Sequence, residues 1–196
     1  MKNAMFVLLV LFGFSLPLLG QHDIEFNGGY QHISGDGGLD GFTIGAALVP
    51  IRNFQLYINY DGVFDHSTVG AFALTSIGLT TINSHMQGFL TGPRFFLPGL
   101  IQGKGRVKGH LLLPFIDAGF GVMHLHSDLT AQNLGSQSAS DTAFAWALGG
   151  GADYRVHPHF TLRGNIGLER THFANSGQSR IRLGATVVWS IRSRAQ

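Results

Sequence analysis

Between Phe160 and Ile191 the chain alternates between apolar and polar positions with a period of two. Phe160, Leu162, Gly164, Ile166 and Leu168 fall on one parity; Thr161, Arg163, Asn165, Gly167, Glu169 and Thr171 fall on the other. A second run repeats the pattern, with Ile181, Leu183, Ala185, Val187, Trp189 and Ile191 against Arg180, Arg182, Gly184, Thr186, Val188 and Ser190. Successive side chains of a strand point to opposite faces, so each run predicts a strand with one oily and one polar face. The polar stretch 174–179 between them predicts a hairpin loop.

The same period recurs upstream. It predicts strands over Asp23–Ser34, Gly41–Val49, Phe54–Asp65, His85–Phe96, Leu111–Leu125 and Thr142–Tyr154. On the fourth of these, Phe89, Thr91 and Phe95 are assigned to the oily face, which turns Arg94 to the other. Gly-rich or Pro-containing segments separate the strands. Stretches 66–84 and 127–141 are rich in Ser, Thr and other small polar residues and read as longer loops, whereas residues near 50 and 156–159 read as tight turns. The connection at 97–108 is long and carries Gly, Lys and Arg. The count is eight strands joined as consecutive hairpins, and no helical period follows residue 20.

Alternation alone does not say whether the oily face meets a core or a lipid. Composition does. Only 12% of the residues are charged, against about 25% in ordinary soluble domains. A water-facing surface is hard to build from so few charges, and a lipid-facing one needs hardly any. The fold expected is therefore all-β: an eight-stranded antiparallel up-and-down transmembrane β-barrel, closed so that no edge is left unpaired in hydrocarbon. Phe54, Tyr154, Phe160 and Trp189 lie near one set of strand ends on the oily face, where an aromatic belt at the membrane interface is expected.

The N-terminus fits export. Met1-Lys2-Asn3 precedes an apolar run from Ala4 to Leu19, broken by Pro17 and followed by Gly20 and the polar Gln21-His22-Asp23. This is the layout of a signal peptide over 1–20, cleaved to leave the barrel domain 21–196. With no Cys in the chain, a lipoprotein signal, a disulfide and a thiolate metal site are all excluded. A net charge of +2, scattered along the chain, argues against nucleic acid as a partner.

The polar parity points into the lumen and carries Glu25, Asp61, Arg94, Asp117, Asp153, Arg163, Glu169 and Arg182. A narrow eight-stranded interior is packed by side chains, so these charges are expected to form a paired network. Centring the last hairpin on 174–179 sets Glu169 opposite Arg182. Centring the preceding turn on Val156–His159 sets Asp153 diagonal to Arg163. Small inward residues on the sixth strand are expected to make room for long side chains of the seventh.

Ten His residues raise the question of metal or catalysis. His124 and His126 share a strand face, and His157 and His159 flank a turn, but neither pair has a third ligand at useful spacing in the sequence. Both pairs read as polar rims. His126-Ser127-Asp128 holds triad residue types, yet neighbours in sequence seldom face one another. Gly149–Gly151 lies inside a strand with no helix after it, which excludes a phosphate loop. No catalytic, cofactor or metal residues are assigned.

Three segments then carry a resemblance: Gly92-Pro-Arg-Phe-Phe, Pro114-Phe-Ile-Asp-Ala-Gly-Phe-Gly, and Asp141-Thr-Ala-Phe-Ala-Trp-Ala-Leu-Gly-Gly-Gly-Ala-Asp. With the strand pattern over Asp23–Ile191 they resemble the outer-membrane β-barrel domains of the OmpA-like and OmpX-like porin-type group. The resemblance implies residence in the bacterial outer membrane with both termini in the periplasm, and supplies no catalytic residues. The chain departs from many such barrels in ending Trp189-Ser-Ile-Arg-Ser-Arg-Ala-Gln and not on an aromatic. The expected partners are outer-membrane lipid and the barrel-assembly machinery, with the barrel a monomer. A structural or surface-interaction role leads. A small channel, an outer-leaflet lipid-modifying enzyme and a secreted soluble ligand-binding barrel are the alternatives.

Overall fold

The computed structural model describes residues 23–34, 38–51, 53–73, 76–97, 112–131, 135–173 and 176–191. Eight strands follow one another in chain order: β1 (Asp23–Ile33), β2 (Leu39–Ile51), β3 (Phe54–Ala73), β4 (Ser76–Phe96), β5 (Leu112–Ala131), β6 (Gly135–His157), β7 (Phe160–Phe173) and β8 (Ser176–Ile191). Each pairs antiparallel with the next, and β1 pairs with β8 from Ile24–Ile191 up to Ile33–Arg182, closing the barrel. The expected signal peptide lies outside the described residues, as does nearly all of the connection expected at 97–108.

Register fixes the barrel's shape. Cross-strand partners of Tyr30 run through Phe42, Gly62, Gln87 and His124 to Thr142 on β6. In the other direction they run through Ala185 and Gly164 to Ala152, also on β6. The two arrivals lie ten residues apart. A stagger of this size over eight strands tilts them by about 40° and leaves an interior just wide enough for side chains.

The oily parity faces outward everywhere. Ile44, Ile58, Phe89, Phe120, Leu148, Ile166 and Leu183 are all exposed, while Arg94, Arg163, Glu169 and Arg182 are buried. On β8 the apolar outward positions extend from Ile181 to Ile191. At about 2.5 Å of axial rise per residue for a strand so tilted, they span about 25 Å, the height of the apolar band on an outer-membrane barrel.

Three loop expectations are corrected. Strands β3 and β4 stay paired as far as Ala73–Ser76, and β5 and β6 as far as Ala131–Gly135. The segments 66–84 and 127–141 are therefore largely strand. These extensions rise beyond the level at which β2 and β7 stop pairing, so there the strands are no longer part of a closed ring. Outside the closed ring nothing requires one parity to be oily and the other polar. The last hairpin is also tighter than expected: β7 and β8 meet at Phe173–Ser176, leaving only residues 174–175 between them.

Turn chemistry at the termini end agrees with the sequence. The β2–β3 register shifts between Leu48 and Ile51, around Pro50, which has no N–H for the ladder. The β6–β7 register shifts between Arg155 and His157, beside Pro158. At the far end Gly38, leading into β2, has a φ of 69°, a conformation that favours glycine.

Candidate functional site

The lumen holds two ionic layers and an apolar one. The layer nearer the termini is a continuous chain of bonds. Arg163 on β7 grips Asp153 on β6 with two bonds of 2.7 Å, from Nε and Nη2 to separate carboxylate oxygens. Its Nη2 also donates to Glu25 Oε2 at 3.4 Å. Gln55 Nε2 donates to the same Glu25 oxygen at 2.6 Å. Arg94 Nη1 donates to Gln55 Oε1 at 2.8 Å, and Arg94 Nη2 to Asp117 Oδ2 at 2.8 Å. Six residues from β1, β3, β4, β5, β6 and β7 are thus tied across the interior.

Aromatic rings wedge this layer. Phe115 lies 4.6 Å from the Arg94 guanidinium carbon and 5.5 Å from that of Arg163, and Tyr57 lies 4.8 Å from Arg94. Inward glycines make space for these rings. A Cβ on Gly151 would meet Phe115 Cζ at 2.7 Å, and one on Gly119 would meet the Tyr57 hydroxyl at 2.5 Å. Gly151 of β6 thus makes room for Phe115 of β5.

The second layer, farther from the termini, is looser. Arg182 Nη2 stands 3.4 Å from Asp61 Oδ2. Glu169, only 1% exposed, receives no hydrogen bond from a protein donor on either carboxylate oxygen. The expected Glu169–Arg182 pairing is corrected: the Cα partner of Glu169 is Arg180, and that of Arg182 is Gly167. The tight hairpin moves the register by two residues. Asp153 and Arg163, expected on a diagonal, are directly opposite.

Above this layer comes the apolar one, which sequence reasoning did not single out. Ile33, Leu39, Val63, Met86, Met123, Ala143, Ala145 and Phe173 form a buried cluster. They occupy inward positions toward the far end, two residues above Gln31 and Asp61 and four above Glu169. In the sequence these residues sit on the polar parity and look like breaks in it. Only closure of the barrel turns them toward one another.

On the outer face, Phe160 and Trp189 are cross-strand partners, Trp189 stacks near Phe26 at 6.1 Å, and Phe54 packs on Phe95 at 5.0 Å. With Tyr154, they sit at the termini end of the apolar band. A second aromatic run, missed in the sequence, crosses β2, β3 and β4 at the other end: Phe42 on Tyr60 at 6.1 Å and on Phe64 at 6.4 Å, and Tyr60 on Phe89 at 5.0 Å. Its members are far apart in the chain, so only register aligns them.

A closed ring of eight antiparallel strands, oily outside and ionic within, defines a transmembrane β-barrel of the bacterial outer membrane. The chain matches the family model described as "Outer membrane protein beta-barrel domain" over residues 6–188, and it belongs to that family. Among solved structures it is similar to Ail, the attachment invasion locus protein of Yersinia pestis, in complex with the heparin analogue sucrose octasulfate. That likeness has 15% identity and a TM-score of 0.53, covering 86% of this chain and 99% of the other. It is also similar to a major outer membrane protein from Thermus thermophilus, with 11% identity and a TM-score of 0.50, covering 86% and 99%. At such identities the likeness concerns the fold. No curated protein matches the chain in sequence.

Proposed function

We propose that the protein is a non-conducting, monomeric barrel whose role is structural and interactive. The termini end faces the periplasm, and the β3–β6 extensions stand outside the cell as the surface offered to partners. Residues 1–20 act as a cleaved signal peptide, and the barrel-assembly machinery inserts the mature chain. Lipid is the constant partner of the outer face. Phe54, Tyr154, Phe160 and Trp189 anchor the inner interface, and the lumen charges hold the wall together. No catalytic role is assigned.

One observation carries this reading. The apolar cluster of Ile33, Val63, Met86, Met123 and Phe173 lies directly over the Asp61–Arg182 pair. An ion entering from outside would have to shed its water among these side chains before reaching the Asp61–Arg182 pair, and such desolvation is costly. Below, the guanidinium-carboxylate chain fills the passage a second time. Purified protein in a planar lipid bilayer should show no steady conductance, while a boiled and an unboiled sample should differ in gel mobility as closed barrels do. A stable, reproducible conductance step would overturn the reading.

A further inference from the structure

We propose that His85, His126 and Asp128 form a binding site for a divalent transition-metal ion, of which Zn²⁺ is the natural probe, on the outer wall of the barrel beyond its apolar band. The sequence suggests no such site, because His85 is separated from the other two by a full strand pair. Register brings them together. His85 on β4 and His126 on β5 are direct cross-strand partners, both on the outward parity. Their ring centroids are 4.9 Å apart with the planes inclined at 41°. Asp128 follows His126 by two residues on the same face.

His126 and Asp128 already stand close enough to share one ion. His126 Nε2 lies 3.2 Å from Asp128 Oδ1, with the two side chains 31% and 46% exposed. Two ligands held at about 2.0–2.1 Å on a tetrahedral zinc lie roughly 3.3–3.4 Å apart. The separation of His126 and Asp128 is compatible with two ligands of one ion.

His85 supplies the third donor. Among the described residues no three such side chains already converge on one point, so the His85 ring must turn. The ring now lies between those of His126, at 4.9 Å, and Phe64, at 6.3 Å. With the rings 4.9 Å apart, turning His85 brings one of its nitrogens toward a nitrogen of His126, to the roughly 3.3 Å that two ligands of one ion demand.

The scaffold is suited to hold them. On the inward side of the same two strands Ser84 Oγ and Ser127 Oγ are 3.0 Å apart, one residue from His85 and His126 respectively. The ladder is continuous from Asn83–Asp128 to Met86–Leu125. His124 is engaged elsewhere, with Nδ1 2.8 Å from Thr142 Oγ1. Two imidazoles and one carboxylate, with water completing the shell, favour zinc, copper or nickel over the oxygen-seeking calcium and magnesium.

The test is a calorimetric titration of ZnCl₂ into the untagged barrel, folded in detergent micelles. The wild type should take up one Zn²⁺ per chain, saturably. His126→Ala and His85→Ala should each weaken binding by at least about a hundredfold, more than the loss of a supporting neighbour around a metal usually causes. His126→Gln and His85→Gln repeat the test should an alanine variant fail to refold. The double variant His157→Ala/His159→Ala, at the opposite end, should bind as the wild type does. Absence of saturable uptake, or uptake that survives loss of both His85 and His126, would overturn the proposal.

Discussion

Replacing Arg163 by Met probes the lumen where it is most tightly bonded. The arginine is 4% exposed and spends its guanidinium on Asp153 twice, at 2.7 Å each, and on Glu25 at 3.4 Å. Methionine is flexible and fills much of the same space, so the cavity term stays small. What remains is electrostatic: Asp153 and Glu25 keep their charges in a site without the cation that faced them. Removing one partner of a buried pair costs about 3–5 kcal/mol, chiefly the penalty for the stranded ion. Urea unfolding of the barrel in phospholipid vesicles should show a lowered midpoint at unchanged slope. The double variant Arg163→Met/Asp153→Leu should recover much of the loss, because the stranded charge is then gone too. A loss under about 1 kcal/mol, the size of a solvent-screened surface pair, would refute the reasoning. So would a double variant whose cost is the plain sum of the singles, since either result would mean a lumen wet enough to solvate its ions.

The second ionic layer should respond differently. Glu169→Gln is expected to be neutral or stabilising in the same unfolding assay, since it removes a buried carboxyl that no protein donor satisfies. Asp61→Asn should destabilise by removing the ion partner of Arg182; equal losses from the two substitutions would contradict this division. On the outer face, Ile166, 58% exposed and midway up the apolar band, should cost about 2–4 kcal/mol when changed to Arg, whereas Val156→Arg near the termini end should cost about 0–1 kcal/mol. Matching costs at the two depths, measured by unfolding in vesicles, would mean that these positions do not face a hydrocarbon slab.

Much of the architecture was legible in the alternation itself. Which residues face out and which face in follows from a period of two that a single strand carries alone. The scarcity of charge then says that the outward side meets lipid. The inward set from Glu25 to Arg182 and the outward aromatics at the termini end could be read in this way. The strand extensions above the barrel could not, because outside the closed ring nothing requires a period of two.

Partners were another matter. Expecting Glu169 opposite Arg182 put every residue of that hairpin on its proper face and still gave the wrong cross-strand partners, by a slip of two residues. Such a slip returns each side chain to the same face, so nothing in the pattern of apolar and polar positions resists it. Register depends on how many residues the turn consumes and on closure of all eight strands at once. For that reason the bonded chain from Asp117 to Asp153, the apolar cap over Asp61, and the meeting of His85 with His126 were settled only by the closed barrel, while inside and outside were already written in the chain.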